Sequence, residues 1–307
     1  MAVELSAYRR DGALLLAVLC VVGWAYAGAI DGAFHFDDEH SLLASPHVRD
    51  LGYAFDYFTD SQTFSRNEGS QMYRPLVLLS YAFTYRWHGY EPAAFLMVNW
   101  LLHLGVVAVA FLCHRNMGLD AVRAALAVLL FGLHPVVAEP VNYVSARSES
   151  LAALFSVGAV ALYLCDNRAA VLGSLGLFAL ALMAKASAAV VPVVLVLAEW
   201  NLRGDMRGMR WQRLAGFAMV LVVYVWGTQA VVSEALIDAP VRSFAQQTAT
   251  QALALPYYVK LVMGLQGQSV EHQFFVRDWH ALVPWLCAVC VLSVGVIGGV
   301  WLWGHQR

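Results

Sequence analysis

The chain has 307 residues, 60% of them hydrophobic and only 13% charged, with a formal net charge of −2. Soluble domains carry about 25% charged residues, so this composition excludes a soluble enzyme and describes an all-α polytopic membrane protein. The near-neutral balance also lacks the basic footprint that nucleic acid binding requires, and no nucleic acid partner is expected.

Arg9 and Arg10 precede an apolar run over about 12–31. The run is long for the core of a signal peptide and reads as a retained first span. Further apolar stretches lie near 94–113, 120–138, 149–166, 169–184, 186–202, 212–232 and 281–303, giving about eight candidate spans. A continuous helix over 169–202 would run ~51 Å at 1.5 Å per residue, against a hydrocarbon core of ~30 Å. The chain must therefore break near Lys185. A charge at mid-membrane costs roughly 2.5–3.5 kcal/mol, which also pushes Lys185 to a membrane face.

Short-loop arginines set the orientation. Arg9, Arg10, Arg115, Arg123, Arg168 and the run from Arg203 through Arg213 all fall on one side if each candidate crosses once, and the positive-inside rule makes that side cytoplasmic. The opposite face then carries an external loop over 31–92, the turn at 134–149, Lys185 and a second external segment over 233–280. In the first of these, "LGYAFDYF" and "PLVLLSYAFTYRW" are too short to cross and rich in aromatics, as interfacial helices are. Residues 252–266, with Pro256 and Lys260, predict an interfacial or re-entrant helix.

Four polar groupings share the outer face. "FHFDDEH" places Asp37, Asp38 and Glu39 after the first span, as a solvated loop, a cap for a helix beginning near Ser41, or a site. Arg74 precedes Pro75 at a helix start. In "HPVVAEPVNYVSARSES", Pro135 should end the third span and Pro140 begin the fourth, so that a tight hairpin presents His134 and Glu139 while helical spacing puts Tyr143 and Arg147 on one face. Lys185 stands alone in "LMAKASAAVVP". Carboxylates, an imidazole and cations bounded by apolar helices suit a lipid-linked anionic substrate: Arg and Lys recognise phosphate, and a carboxylate can take a proton from a hydroxyl nucleophile. Adjacent residues of one loop rarely converge on one ion, so no metal is expected among His35, Asp37, Asp38, Glu39 and His40. Without a G-x-G-x-x-G or Walker-type loop, no nucleotide cofactor is expected either.

The ordered motifs "FHFDDEHSLLASPHV", "YRPLVLLSYAFTYRWHGYEPAAFLMVNWLLH", "FGLHPVVAEPVNYVSARSESLAALF" and "KASAAVVPVVLVLAEW" resemble, over about 34–202, the membrane domain of the transmembrane and tetratricopeptide-repeat O-mannosyltransferases and their bacterial relatives. These are GT-C fold glycosyltransferases. The resemblance implies a GT-C-like helical bundle and a polyprenyl- or dolichyl-phosphate sugar donor. It also implies transfer to a protein or envelope-glycan hydroxyl on the non-cytoplasmic face, which for a bacterial inner membrane is periplasmic. Asp37 or Asp38 would be the general base, and Arg74, His134, Glu139, Tyr143, Arg147 and Lys185 would contact donor phosphate or acceptor. The chain has Lys185-Ala186 where relatives usually have Lys-Glu. No tetratricopeptide repeat is visible, and a single transmembrane domain over 1–307 is expected. The alternative is a non-catalytic scaffold or assembly subunit working with a partner; a transporter would show internal repeats or mid-membrane charges, and neither is found.

Overall fold

A computed structural model of the chain describes residues 2–66, 72–203, 208–234, 243–264, 285–286, 289–290 and 293. Every regular element among the described residues is helical. Two compact units divide the chain, Met1–Leu236 and Ile237–Arg307.

In the first unit the long helices are α1 (Ala2–Ala25), α3 (Pro75–His88), α4 (Pro92–Asn116), α5 (Ala121–Gly132), α7 (Arg147–Tyr163), α8 (Arg168–Ala184), α9 (Val191–Arg203) and α10 (Trp211–Glu234); α2 (Asp56–Thr59) and α6 (Glu139–Asn142) are single turns. Local chemistry sets their ends. Pro75 and Pro92 open α3 and α4, where a missing N–H costs nothing. Asp120 caps α5 by accepting from Val122 N and Arg123 N, both at 3.0 Å, and Asn167 caps α8 by accepting from Ala170 N at 2.8 Å. Gly89 and Gly118 close α3 and the α4–α5 connection with φ of +58° and +91°, values that side chains with a Cβ avoid.

Among the described residues two stretches, Arg9–Asp31 and Pro92–Asn116, are long and apolar enough to cross a bilayer, and this is a membrane protein. A third crossing results if Ala121–Gly132 and Pro135–Asn142, bent by 61°, count as one broken span. The apolar helix α8 has 17 residues and rises ~26 Å, just short of a ~30 Å hydrocarbon core; α7 and α10 coincide with the expected fourth and seventh stretches. Most of the candidate over 281–303 lies outside the described residues. The break expected at Lys185 is present: α8 ends at Ala184, Lys185 is extended with φ −160° and ψ 131°, and a 3-10 turn Ala186–Val190 leads into α9.

Small residues let the central helices approach. Ser174 Oγ of α8 donates to the Ala159 carbonyl of α7 at 2.5 Å, and an added Cβ at Gly158 or Gly173 would stand 3.0 Å from Leu177 or Leu162 across that interface. Such packing replaces the hydrophobic drive that lipid cannot supply. Several of the arginines assigned to the cytoplasmic side are ion-paired: Arg115 with Asp11 at 2.8 Å, Arg210 with Glu199 at 2.6 Å, and both Arg210 and Arg213 with Asp166.

The region expected to form the first external loop is a stack of short helical turns on α3. Leu42, Val48, Tyr57 and Phe64 are buried against Val77, Leu78 and Tyr81 in one apolar cluster, while Asp50 and Asp60 cap their own turns by accepting from Gly52 N and Gln62 N at 2.8 Å.

The connection between α5 and α7 differs from the expected hairpin. It runs through a 3-10 turn Pro135–Val137, then α6, then a second 3-10 turn Val144–Ala146. Pro140 belongs to α6 and not to the next long helix. Tyr143 is extended, with φ −125° and ψ 119°, so the helical spacing that would align it with Arg147 is interrupted and the two side chains point apart.

The second unit contains α11 (Phe244–Val262), opened by a capping box between Ser243 and Gln246 and carrying Pro256 inside it. The rest of the expected external segment beyond Gly264 lies outside the described residues.

Candidate functional site

Positive φ at Phe36, +51°, is a rare conformation for an aromatic residue. It turns the chain so that the next two aspartates diverge. Asp38 points inward and is fully buried. Its Oδ1 accepts from Ser145 N at 2.8 Å and from Ser145 Oγ at 2.5 Å, and its Oδ2 accepts from His35 N at 3.1 Å. Burial raises its pKa above the ordinary carboxylate value, partly offset by the hydrogen bonds from Ser145 and His35. As the residue opening the Glu39–Leu43 turn it makes no side-chain cap. The cap expected from the sequence is replaced by a staple to the distant 144–146 turn.

Asp37 points outward, with its side chain 67% exposed. Its backbone N–H donates to the Tyr143 hydroxyl at 2.9 Å, and its Oδ1 lies 3.3 Å from His40 Nε2. Tyr143 stacks on His35 at 5.0 Å between ring centroids, and burial, the largest cause, raises its hydroxyl pKa to about 12, so it is a neutral hydrogen-bonding group at physiological pH.

A cavity of about 190 Å³ gathers Asp37, Arg74, Glu139, Tyr143 and Lys185, with His40, Ser145, Ser148 and Glu149 beside them. Thus segments 37–41, 72–74, 139–149 and Lys185 meet at one point. Lys185 is ion-paired with Glu149. The half-buried Arg74 donates to Ser148 Oγ at 3.3 Å and lies over the Phe64 ring at 5.5 Å. Burial lowers its pKa, opposed by the nearby carboxylates of Glu149 and Asp37. Among the described residues it joins no ion pair, so a guanidinium faces the cavity with donors available for an anion.

His134 and Arg147 do not line this cavity. His134 caps the Pro135–Val137 turn, its Nδ1 accepting from Val136 N at 3.2 Å. Arg147 is fully buried. Its guanidinium donates to Asn99 Oδ1 and the Phe95 carbonyl, both at 2.8 Å, and to Ser80 and Thr84 hydroxyls at 3.2 and 3.3 Å, with Tyr81 beneath it at 4.8 Å. Asn99 in turn donates to the Pro140 and Tyr143 carbonyls at 3.2 and 2.9 Å. The two residues therefore hold the 139–146 turn in place from below.

Sequence reasoning missed Glu149, Ser145 and Asn99, and considered His40 only as a metal ligand. Asn99 carried a signal, a polar side chain inside the apolar "LMVNWLLH"; Glu149 and Ser145 carried none, because their partners are remote in the chain. Among the described residues no group of three or more His, Cys, Asp or Glu is placed to hold a metal ion.

No family model and no solved structure matches the chain. Several curated proteins do match. Protein O-mannosyl-transferase TMTC3 of Mus musculus is 28% identical over 149 residues, covering 48% of this chain and 16% of its own. Protein O-mannosyl-transferase TMTC4 of Homo sapiens is 31% identical over 157 residues, covering 46% and 20%. Protein O-mannosyl-transferase TMTC1 of Homo sapiens is 28% identical over 169 residues, covering 53% and 18%. The chain resembles the TMTC-type O-mannosyltransferases. The matches span a fifth or less of the length of these TMTC relatives. The cavity is built from four motifs singled out in the sequence: "FHFDDEH" contributes Asp37 and His40, "YRPL" Arg74, "AEPVNYVSARSE" Glu139, Tyr143 and Glu149, and "KASA" Lys185.

Proposed function

We propose that the chain is a GT-C-type membrane glycosyltransferase that moves a sugar, mannose in the first instance, from a polyprenyl-phosphate carrier to a hydroxyl of a protein or envelope glycan. The observation that carries this reading is the 190 Å³ cavity with the Arg74 guanidinium, outside any ion pair among the described residues, and the exposed Asp37 carboxylate on the same lining. The cavity is smaller than the ~300–1,000 Å³ of typical ligand sites, which fits a polar headgroup whose lipid chain stays outside among the helices.

In this reaction the acceptor oxygen attacks the anomeric carbon as the bond from that carbon to the phosphate oxygen breaks. Asp37 takes the hydroxyl proton, and the phosphate leaves with the bonding pair. Arg74 neutralises the growing phosphate charge with a geometry that matches its fork. Lys185 exchanges Glu149 for the phosphate as the donor enters, while Glu139 and Tyr143 bound the sugar. Asp38, His134 and Arg147 are positioning residues. The active face is the non-cytoplasmic one, periplasmic in a bacterial inner membrane, and the remaining apolar helices complete about eight crossings of a single transmembrane domain.

Reconstitution of the full chain in proteoliposomes with polyprenyl-phosphate mannose and a hydroxyl acceptor tests this. General-base loss predicts that Asp37→Asn lowers turnover by roughly 10²–10⁴-fold, and Arg74→Gln raises the donor KM. Transfer by Asp37→Asn at the wild-type rate would remove the base assignment. Absence of transfer with every lipid-phosphate sugar, together with a stably co-purifying partner, would support the scaffold reading in its place.

A further inference from the structure

On the outer side of this site lies a second cavity of about 600 Å³, well inside the range that ligand clefts occupy. His47, Arg49, Asp60, Ser65 and Arg66 line it, three basic side chains against one acidic. Arg49 is fixed but not exhausted. Its Nε donates to the Tyr90 hydroxyl at 2.9 Å and one terminal nitrogen to the Leu43 carbonyl at 3.1 Å, leaving three of a guanidinium's five N–H groups. Arg66 is exposed.

One imidazole forms the wall between the two cavities. His40 lines the inner one, where its Nε2 faces Asp37 Oδ1 at 3.3 Å. Its Nδ1 lies 3.0 Å from Ser65 Oγ, and its carbonyl accepts from Arg66 N at 3.3 Å; both partners line the outer cavity. An ionised Asp37 only accepts hydrogen bonds, so Nε2 is the donor toward it, while Nδ1 pairs with the Ser65 hydroxyl. The ring is thereby locked between the exposed carboxylate and the outer cleft.

We infer that the outer cavity is the acceptor site, and that its ligand is an extended polypeptide segment whose hydroxyl residue is flanked by Asp or Glu. The inference rests on the reaction proposed above. The flanking carboxylates meet Arg49 and Arg66 as bidentate partners, and the hydroxyl passes the His40 edge to reach Asp37. There its oxygen forms the new bond to the anomeric carbon, its proton goes to Asp37, and the lipid phosphate departs. His40 acts as a positioning residue that holds Asp37 toward the incoming hydroxyl. A neutral glycan would leave the basic excess of this cleft unused.

The test uses full-length protein in nanodiscs with three synthetic peptides of identical Ser/Thr core and acidic, neutral or lysine flanks. Fluorescence anisotropy without donor reads peptide binding, and transfer from polyprenyl-phosphate mannose reads catalysis. Wild type should bind the acidic-flanked peptide at least ~10-fold more tightly than the lysine-flanked one, a separation of ~1.4 kcal/mol. Arg66→Glu should abolish or reverse that preference in both binding and acceptor KM while the donor KM stays unchanged. His40→Gln should lower kcat with little change in acceptor KM. Since Arg49 also supports the loop, Arg66, whose side chain is exposed, is the deciding variant. Equal binding of all three peptides, or a preference untouched by Arg66→Glu, overturns the inference. So does tighter binding of a neutral oligosaccharide than of every peptide. An active Asp37→Asn would instead count against the reaction, whatever the peptides do.

Discussion

At the scale of the residue, neighbouring aspartates of the same sequence acquire opposite characters from one backbone dihedral. The left-handed Phe36 delivers Asp38 to a dry pocket of donors and leaves Asp37 in solvent at the cavity lip. Burial raises the folded-state pKa of Asp38, so between the ordinary carboxylate value and that raised value the folded chain binds more protons than the unfolded one. Stability therefore falls as pH rises through this window. Asn at this position mimics the protonated carboxyl and does not titrate. Thermal unfolding followed across the acid range should show wild type gaining on Asp38→Asn as pH drops, with the difference flattening below the ordinary carboxylate value. A difference that grows with rising pH would reverse the sign argued here. Arg147 makes a second residue-level case. Its four hydrogen bonds diverge to Asn99, Phe95, Ser80 and Thr84, and a single ammonium cannot reach all of them. Each hydrogen bond of a charged group is worth ~1.5–3 kcal/mol. Arg147→Lys should destabilise by about 3 kcal/mol or more, read as a large fall in thermal midpoint, and should loosen the 139–146 turn that Asn99 holds.

At the scale of the element, what could be read from the sequence was what depends on period and length. Apolar runs located the long helices, and the length argument located the break at Lys185, because both follow from 1.5 Å per residue. The connection after α5 departs from the expected hairpin because Pro135 and Pro140, whose positions predict the stop and start of neighbouring long helices, each open a short turn of their own. The contact that decides its course, Asp38 to Ser145, joins residues 107 positions apart and has no local signature. Close packing of α1, α4 and α5 was equally hidden in composition. A Cβ at Gly132 would stand 2.9 Å from Val22 and 3.0 Å from Val107, whereas one at Gly176 meets nothing within 4 Å. Overpacking costs ~1–3 kcal/mol and an exposed helical Gly→Ala change gains up to ~1 kcal/mol. Gly132→Leu should thus lower the thermal midpoint and Gly176→Ala should hold or raise it; equal responses would mean that the α1–α4–α5 contact is looser than described.

At the scale of the whole first unit, the helix α4 connects two chemically distinct ends. Beside its N-terminus, Tyr90 accepts from Arg49 of the 31–92 loop; near its C-terminus, Arg115 pairs with Asp11 before the first apolar run. Its 25 residues rise ~37 Å, more than the ~30 Å hydrocarbon thickness, so the helix is long enough for its two ends to reach opposite faces. Arginine enrichment leads one to expect the Arg115 end in the cytoplasm, and the proposed orientation puts every cavity-lining motif on the other face, where a lipid-linked headgroup would be met. Cysteines introduced at the exposed Gln62 and Arg123, in a chain whose native cysteines are replaced by serine, report this directly. An impermeant maleimide added to intact cells or sealed right-side-out vesicles should label Gln62→Cys at once and Arg123→Cys only after permeabilisation. The reverse pattern would place the Asp37 cavity in the cytoplasm, beside soluble nucleotide sugars, and the lipid-phosphate donor would lose its physical basis. Labelling of both positions before permeabilisation would show that α4 does not cross.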